Sequence, residues 1–136
     1  MASSDMDKLL ANFNGNPPVP ATSIQQFESC ITGLCLTESY SGFLQTADGG
    51  EGFIGSTYII LWRLGELVEM NKAYEASEYA PGLFLFGSDG GGEAFAFDLR
   101  SDTKPVVAIP FVGMDLELIR PLASTFGEFL EELAGA

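Results

Sequence analysis

Two glycine-rich segments contain the residues that come closest to a known chemical motif. Gly50, Gly52 and Gly55 fall in the run GEGFIG, whose spacing matches the fingerprint of dinucleotide-binding proteins. In that fingerprint a strand comes first and a helix follows, so that the helix N-terminus meets a phosphate. Here the run follows a predicted helix and opens a predicted strand, and Glu51 would repel the phosphate. We therefore interpret these glycines as turn residues and expect no bound cofactor.

The second glycine-rich segment, Ser88–Glu93, places Asp89 and Glu93 where their oxygens could coordinate calcium. The alternating oxygen donors of an EF-hand loop are missing, however. A hairpin loop explains the same residues, because glycine supplies positive φ and Asp bonds to nearby backbone. Zinc would have only Cys30, Cys35 and carboxylates as ligands, since the chain has no histidine. Apart from a stray ion in the loop, we expect no metal.

The residue types give little support for catalysis. A serine, threonine or cysteine nucleophile needs a neighbouring base, which without histidine would have to be a carboxylate or a lysine. Neither GxSxG nor the phosphate-binding patterns GxxxxGKS and GxxxxGKT occur. The sequence does not decide whether two carboxylates act together as in glycosidases, because the distance between them depends on tertiary structure. We expect a protein that is not an enzyme, with the two cysteines as buried thiols in a reducing cytoplasm.

The net charge favours a protein partner over nucleic acid. Six basic and nineteen acidic side chains among 136 residues give a formal charge of −13. Such a field repels nucleic acid and attracts basic proteins. The first twenty residues carry no secretion signal, and the longest strongly apolar run, Tyr58–Trp62, is far shorter than the roughly 20 residues that span a bilayer. We expect one soluble, cytoplasmic domain that does not enter a membrane.

The N-terminal residues differ in composition from the rest of the chain. Residues Asn12–Pro20 are rich in asparagine, glycine and proline, which favour turns and extended linkers over helices and strands. We therefore expect residues 1–20 to form a flexible N-terminal segment and residues 21–136 to form the compact domain.

Two helices are predicted before the first strand. Ser23 and Gln26 have the spacing of a capping box for a first helix, which Gly33 would end. Thr37 is the predicted N-cap of a second helix, and Asp48 with the glycines that follow it would then turn the chain.

The remaining pattern predicts an α+β domain in which helices pack on a largely antiparallel sheet, because strands and helices occur without regular βαβ alternation. Apolar runs between glycine-rich or proline-rich turns predict strands, and apolar residues at helical spacing predict helices. The strands are expected at 53–54, 58–61, 83–86, 94–97 and 106–109, and the helices at 64–74 and from Thr125 onward. Trp62 and eight phenylalanines are expected in the core: Phe27, Phe43, Phe84, Phe86, Phe95, Phe97, Phe126 and Phe129.

Several local sequences, in this order and at these distances, resemble the SMI1/KNR4 (SUKH) superfamily over residues 23–133. No single one of them is diagnostic, and the resemblance lies in the ordered set. The chain has Leu-Thr at 36–37 and Asp-Gly-Gly at 48–50 where the family often has Leu-Pro and Asn-Gly-Gly. The matching segments are Ile24–Glu28, Leu36–Tyr40 with Phe43-Leu44, Asp48–Gly50, Tyr58–Trp62, Leu64, Glu66, Leu67, Asn71, Gly87–Glu93 with Phe97-Asp98, Ser124–Phe126 and Phe129-Leu130.

The resemblance implies a noncatalytic protein-binding domain. Bacterial members are mostly immunity proteins that bind and block toxins, often nucleases, delivered between competing cells, whereas fungal members act in cell-wall and signalling regulation. The expected partner is therefore a basic, nuclease-type toxin domain, with a regulatory or scaffolding module as the alternative and an enzyme with an unrecognised site as the third. The first candidates for partner-binding residues are the carboxylates of the two glycine-rich turns, Asp48, Glu51, Asp89 and Glu93.

Overall fold

The computed structural model describes residues 8–30 and 36–135 of the chain. Gly33 and Cys35 lie outside the described residues, as does the side chain of Cys30, so the predicted helix end and the expected buried thiols stay predictions. Residues 1–7 also lie outside the described part.

The strands of the described residues form one seven-stranded sheet in which spatial order equals chain order. Each strand pairs antiparallel with the strand before it and the strand after it. This confirms the predicted α+β class with an antiparallel sheet. The strands are β1 (Phe13–Gly15), β2 (Gly50–Ile54), β3 (Thr57–Leu61), β4 (Leu83–Ser88), β5 (Glu93–Asp98), β6 (Val106–Pro110) and β7 (Arg120–Ala123).

Helices precede, interrupt and close this sheet. The expected helix at 64–74 is divided: a 3-10 turn at Leu64–Glu66 leads into an α-helix, and Glu75, with a φ of 53°, separates that helix from a further short one. A second 3-10 turn lies at Leu116–Leu118. The α-helices are α1 (Ala21–Cys30), α2 (Glu38–Leu44), α3 (Leu67–Ala73), α4 (Ala76–Tyr79) and α5 (Phe126–Gly135).

An aromatic core joins α2 and α5 to the middle of the sheet. Tyr40 of α2 lies with its ring centroid 5.0 Å from that of Phe97 and 4.9 Å from that of Phe126. Phe86 contacts Phe126 and Phe129 at 5.5 and 5.9 Å. Rings in such edge-on and tilted contacts add to the stabilisation from burial alone. The predicted core is confirmed: seven of the eight phenylalanines and Trp62 are buried, and Phe27 packs against them while partly exposed.

The N-terminal segment departs from the expectation that folded structure begins near Ala21. Phe13 is only 7% exposed and its ring meets that of Phe43 edge-on at 6.3 Å. Strand β1 pairs with β2, and the backbone of Asn16 exchanges hydrogen bonds with Asp48 and Gly49 at 3.2 and 3.0 Å. The domain thus includes residues from Phe13 onward. A strand of three residues with a single buried side chain has no alternation that a sequence pattern could reveal.

Helix boundaries show where local signals succeed and fail. At α5 the prediction is confirmed, because the Thr125 hydroxyl accepts a hydrogen bond from the Glu128 backbone N–H at 3.1 Å. At α1 the predicted capping box is wrong: the helix begins at Ala21, and the N–H of Ser23 already donates to the carbonyl of Pro20. The helix therefore begins directly after Pro20, three residues earlier than a Ser23 N-cap would place it.

Candidate functional site

One face of the sheet is open at β2 and β3. In β4, β5 and β6 nearly every residue is buried, so both faces of the central sheet are covered. In β2 and β3, by contrast, buried and accessible residues alternate. Because side chains of a strand alternate between faces, the accessible ones lie together on one side. We call this side the outer face and define it by Glu51, Phe53, Tyr58 and Ile60.

Two aromatic rings dominate the outer face. Phe53 and Tyr58 are register partners across β2 and β3, with ring centroids 5.3 Å apart in an edge-on contact. They remain 48% and 38% exposed, respectively. Aromatic side chains are enriched in protein interfaces because they bury a large area with little loss of side-chain freedom. An exposed aromatic pair on a flat strand surface is therefore a candidate contact for a protein partner.

Glu51 is held against this pair. The hydroxyl of Tyr58 donates a hydrogen bond to Oε2 of Glu51. This bond, together with the negative charge of Glu51, raises the pKa of Tyr58 above that of an ordinary phenol. The carboxylate uses one oxygen for the bond and stays exposed. Of the four predicted binding carboxylates, Glu51 is the one that the structure places on the outer face.

A cleft of about 580 Å³ adjoins the outer face. Strands β1 to β3 form one wall, and the start of the 3-10 turn that follows β3 forms the other. The side chains of its lining residues include two carboxylates, two amides and one guanidinium. The lining residues are Asn14, Asn16, Gly50, Glu51, Tyr58, Ile60, Leu61, Trp62, Arg63 and Glu66.

Asp48 lies in the turn before β2 and is not among the residues that line this cleft. It is half-buried, and its Oδ1 accepts a hydrogen bond from the Leu64 backbone N–H at 2.8 Å. Its backbone carbonyl accepts from the side-chain amide of Asn16 at 3.0 Å, while Oδ1 of Asn16 accepts from Arg63 at 3.2 Å. Asp48 therefore ties β1, the turn before β2 and the 3-10 turn together. Its role as a partner contact stays a prediction.

The loop between β4 and β5 uses Asp89 in the way that the hairpin interpretation expected. Oδ1 of Asp89 accepts hydrogen bonds from the backbone N–H groups of Gly91 and Glu93 at 2.7 and 3.2 Å, and Gly90 has a φ of 80°. Gly90 also lies beside Tyr58: a Cβ atom placed on Gly90 would be 3.6 Å from Cδ1 of that ring. The loop therefore borders the outer face, and the exposed Asp89 adds a negative charge there.

Glu93 lies on the opposite side of that loop from Tyr58's strand. It forms an ion pair with Arg120 of β7, and its side chain keeps 32% of its accessible surface. Strand β5, which begins at Glu93, pairs with β4 and β6 and not with β3. The structure thus places Glu51 on the outer face and Asp89 in the loop that borders it. Asp48 lies in the turn before β2, and Glu93 is paired with Arg120.

The glycines of the GEGFIG run serve the strand pairing more than a turn. Only Gly55, with a φ of 62°, lies between two strands, whereas Gly50 and Gly52 lie within β2. A Cβ atom on Gly50 would come within 2.3 Å of the carbonyl oxygen of Asn14, so the missing side chain lets β1 approach β2. The interpretation as turn residues is therefore correct for Gly55 alone. Strand β3 follows the run, so the helix that a dinucleotide site requires is not there.

The described part of the chain shows neither a cluster of metal ligands nor a helix that could span a membrane. Residues 8–30 and 36–135 contain no group of three or more cysteine or carboxylate side chains placed to hold a metal ion. Among the same residues, no helix is both long and apolar enough to cross a membrane.

Comparison with known families agrees with this architecture. The family model described as SMI1 / KNR4 family (SUKH-1) matches residues 18–132, which is most of the chain. The chain belongs to the SMI1/KNR4 family. A search of curated proteins found no match. Members of this family are generally noncatalytic, and the α+β fold with its antiparallel sheet is the fold that the resemblance implied.

The SMI1/KNR4 segments recognised in the sequence include residues on both sides of the candidate site. Tyr58 and Trp62 line the cleft, and Glu66 forms its far wall. Phe53, Asn14, Asn16 and Arg63 were not singled out from the sequence as binding candidates. No sequence signal marks Phe53, because GEGFI and TYIIL do not alternate polar and apolar residues and its exposure depends on what packs across the sheet. The positions of Asn14, Asn16 and Arg63 in the cleft depend on how β1 packs, which no local pattern reveals.

Proposed function

We propose that this SMI1/KNR4 domain is an immunity-type protein that binds and neutralises a toxin domain with a basic surface, without catalysis. The observation that carries the proposal is the outer face, an exposed aromatic pair with the carboxylates of Glu51 and Asp89 beside it. Family membership supports it, because domains of this family commonly act as immunity proteins. In this role the protein works in the cytoplasm of the cell that it protects.

The composition of the outer face suits a protein partner. Tight interfaces bury aromatic anchors at their centre and keep charged groups at the rim, where water still reaches them. Phe53 and Tyr58 supply such anchors, and Glu51 and Asp89 supply such a rim. A partner that fits this arrangement presents apolar atoms surrounded by basic side chains.

The net charge favours the approach of a basic partner, because electrostatic attraction acts over long distances. A formal charge of −13 speeds the approach of a positively charged protein at low salt. A nuclease-type toxin carries positive groups in the groove that holds its phosphate-rich substrate. An acidic protein that binds over that groove blocks the substrate without chemistry of its own.

Co-expression with the polypeptide encoded immediately upstream of this gene tests the proposal. We expect cells to survive and the two proteins to copurify in equal amounts. Replacing both aromatic anchors, F53A with Y58A, should weaken the complex by at least about tenfold, since buried aromatic anchors commonly dominate interface energies. The matched control is Val112→Ala, which removes apolar surface from a side chain that is 91% exposed elsewhere on the protein.

Two outcomes would count against the proposal in different ways. If the neighbouring protein is harmless or does not bind, the immunity role is wrong, and a pull-down from the native host then tests the regulatory or scaffolding alternative. If the toxin binds but the double variant behaves like Val112→Ala, the outer face is not the binding surface.

A further inference from the structure

The cleft beside the outer face contains two carboxylates without a cationic partner. Within residues 8–30 and 36–135 the ion pairs are Arg100–Asp98 and Arg120–Glu93. Glu51 accepts its hydrogen bond from Tyr58, and Glu66 accepts one from the backbone N–H of Arg63 at 3.0 Å. The cleft therefore carries negative charge on two walls, and the bonds that hold the carboxylates in place do not neutralise it.

Arg63 lies in the same cleft and leaves those charges unpaired. Its Nη2 donates to the amide oxygen of Asn16 at 3.2 Å, and neither carboxylate comes within ion-pair distance of its guanidinium. The Arg63 guanidinium is thus bound to an amide oxygen and not to either carboxylate of the cleft. This arrangement shows that the site accommodates the planar group, and it leaves Glu51 and Glu66 for a second cation.

The remaining walls favour a guanidinium over an ammonium group. Tyr58, which is 38% exposed, lines the cleft with an accessible aromatic ring. A guanidinium stacks on aromatic rings and reaches carboxylates with several N–H donors at once. An ammonium is more strongly hydrated and loses more on leaving water.

We infer that this cleft is the docking site for an arginine side chain of a protein partner, with its guanidinium between Glu51 and Glu66. The aromatic pair of the outer face would then contact the partner's surface around that arginine. The inference rests on the proposed function insofar as the occupant belongs to a protein; it names which chemical group of that protein enters which part of the site.

A small probe tests the cleft without the toxin. The probe is N-acetyl-arginine N-methylamide, titrated into ¹⁵N-labelled protein while the backbone amide signals are recorded. We expect weak, saturable binding with the largest shifts at Glu51, Ile60, Arg63 and Glu66. The lysine counterpart of the probe should bind more weakly. Equal binding of the lysine probe would overturn the choice of arginine.

Charge-neutral variants locate the binding. E51Q with E66Q keeps side-chain size, and Gln at position 66 can still cap the 3-10 turn. Loss of two partly exposed charge pairs should weaken probe binding by about fivefold. The control E128Q with E132Q makes the same charge change at two exposed residues of α5 that line neither the cleft nor the pocket beside Phe53, and it should leave the affinity unchanged. Arg63→Ala should tighten binding, because it removes a like charge.

The outcomes separate this inference from the proposed function. If E51Q with E66Q and E128Q with E132Q weaken binding equally, or if the shifts spread over all exposed carboxylates, the protein attracts cations only through its net charge and the cleft is not a site. If co-expression does not rescue the cells but the arginine probe binds in the titration, the immunity role alone is refuted. If the protein rescues the cells and the E51Q with E66Q variant binds the toxin with wild-type affinity, the arginine site alone is refuted.

Discussion

Asn71 connects α3 to β4 through three hydrogen bonds from one side chain. Its Nδ2 donates to the carbonyls of Leu67 and Leu85 at 2.8 and 3.0 Å, and its Oδ1 accepts from the Leu85 N–H at 2.8 Å. Leu85 is fully buried next to the irregularity that shifts the register between β4 and β5 at Gly87. Asn71 thus takes the place of a strand neighbour for this residue.

The cost of removing that side chain follows from the bond count. In Asn71→Ala both backbone groups of Leu85 lose this partner in a half-buried site. Each net hydrogen bond contributes about 1 kcal/mol, so we expect the free energy of unfolding to fall by about 3 kcal/mol. For a domain of this size such a loss lowers Tm by roughly 10 °C.

Two further variants separate hydrogen bonding from packing and helix propensity. Asn71→Asp keeps the size of the side chain but replaces two donors with an oxygen that faces two carbonyls, so at pH 7 it should destabilise at least as much as Asn71→Ala. Lys72→Ala changes an exposed neighbour on the same helix and should shift stability by less than about 0.5 kcal/mol. Urea unfolding, followed by circular dichroism at pH 7, gives all three values.

The reasoning would be refuted by either of two results. A loss for Asn71→Ala as small as that for Lys72→Ala would mean that Leu85 finds other partners. A fully tolerated Asn71→Asp would mean that shape, and not the donated bonds, accounts for the effect.

Other perturbations test single features of the structure. The Tyr40 hydroxyl is buried and has no hydrogen-bond partner among the described residues, so Tyr40→Phe should stabilise by about 1 kcal/mol in urea unfolding at pH 7. Burial raises the pKa of the Tyr40 hydroxyl above its value in the unfolded chain, so the folded state of the wild-type protein loses stability as the pH rises above about 10. The gain in the free energy of unfolding from Tyr40→Phe should therefore grow between about pH 9 and 11. A constant difference would contradict this. Glu51→Gln should lower the raised pKa of Tyr58 toward that of a free phenol in an NMR titration of labelled tyrosine, and an unchanged pKa would show that the hydrogen bond is not its cause. Phe13→Ala should cost about 2 to 3 kcal/mol by urea unfolding if β1 belongs to the folded domain, and almost nothing if residues before Ala21 are a free linker.

Local patterns were sufficient for most elements of the sheet and the core. The β4–β5 hairpin was predictable because two apolar runs flank a loop whose glycines and Asp89 have their own turn chemistry. The phenylalanines were predictable as core because their spacing follows the period of the element that carries them. Both signals lie within a few residues of the feature that they report.

Longer-range features were decided by tertiary structure. Strand β1 exists because β2 satisfies its backbone. Strand β7 contains Pro121, which suits an edge strand but gives no strand signal of its own. The partners of Asp48 and Asn71 lie sixteen and fourteen residues away in the chain, so the structural roles of these side chains had no local signature.

The candidate site shows the same division. The sequence alone determined that the protein is acidic, lacks histidine and carries Glu51 and Asp89 in glycine-rich segments. Only the tertiary structure decided that β4 to β6 are covered on both faces while β2 and β3 keep one face open. Exposure of a side chain depends on what packs across the sheet from it. That is set by distant segments of the chain, so composition could indicate a basic protein partner but not the surface that receives it.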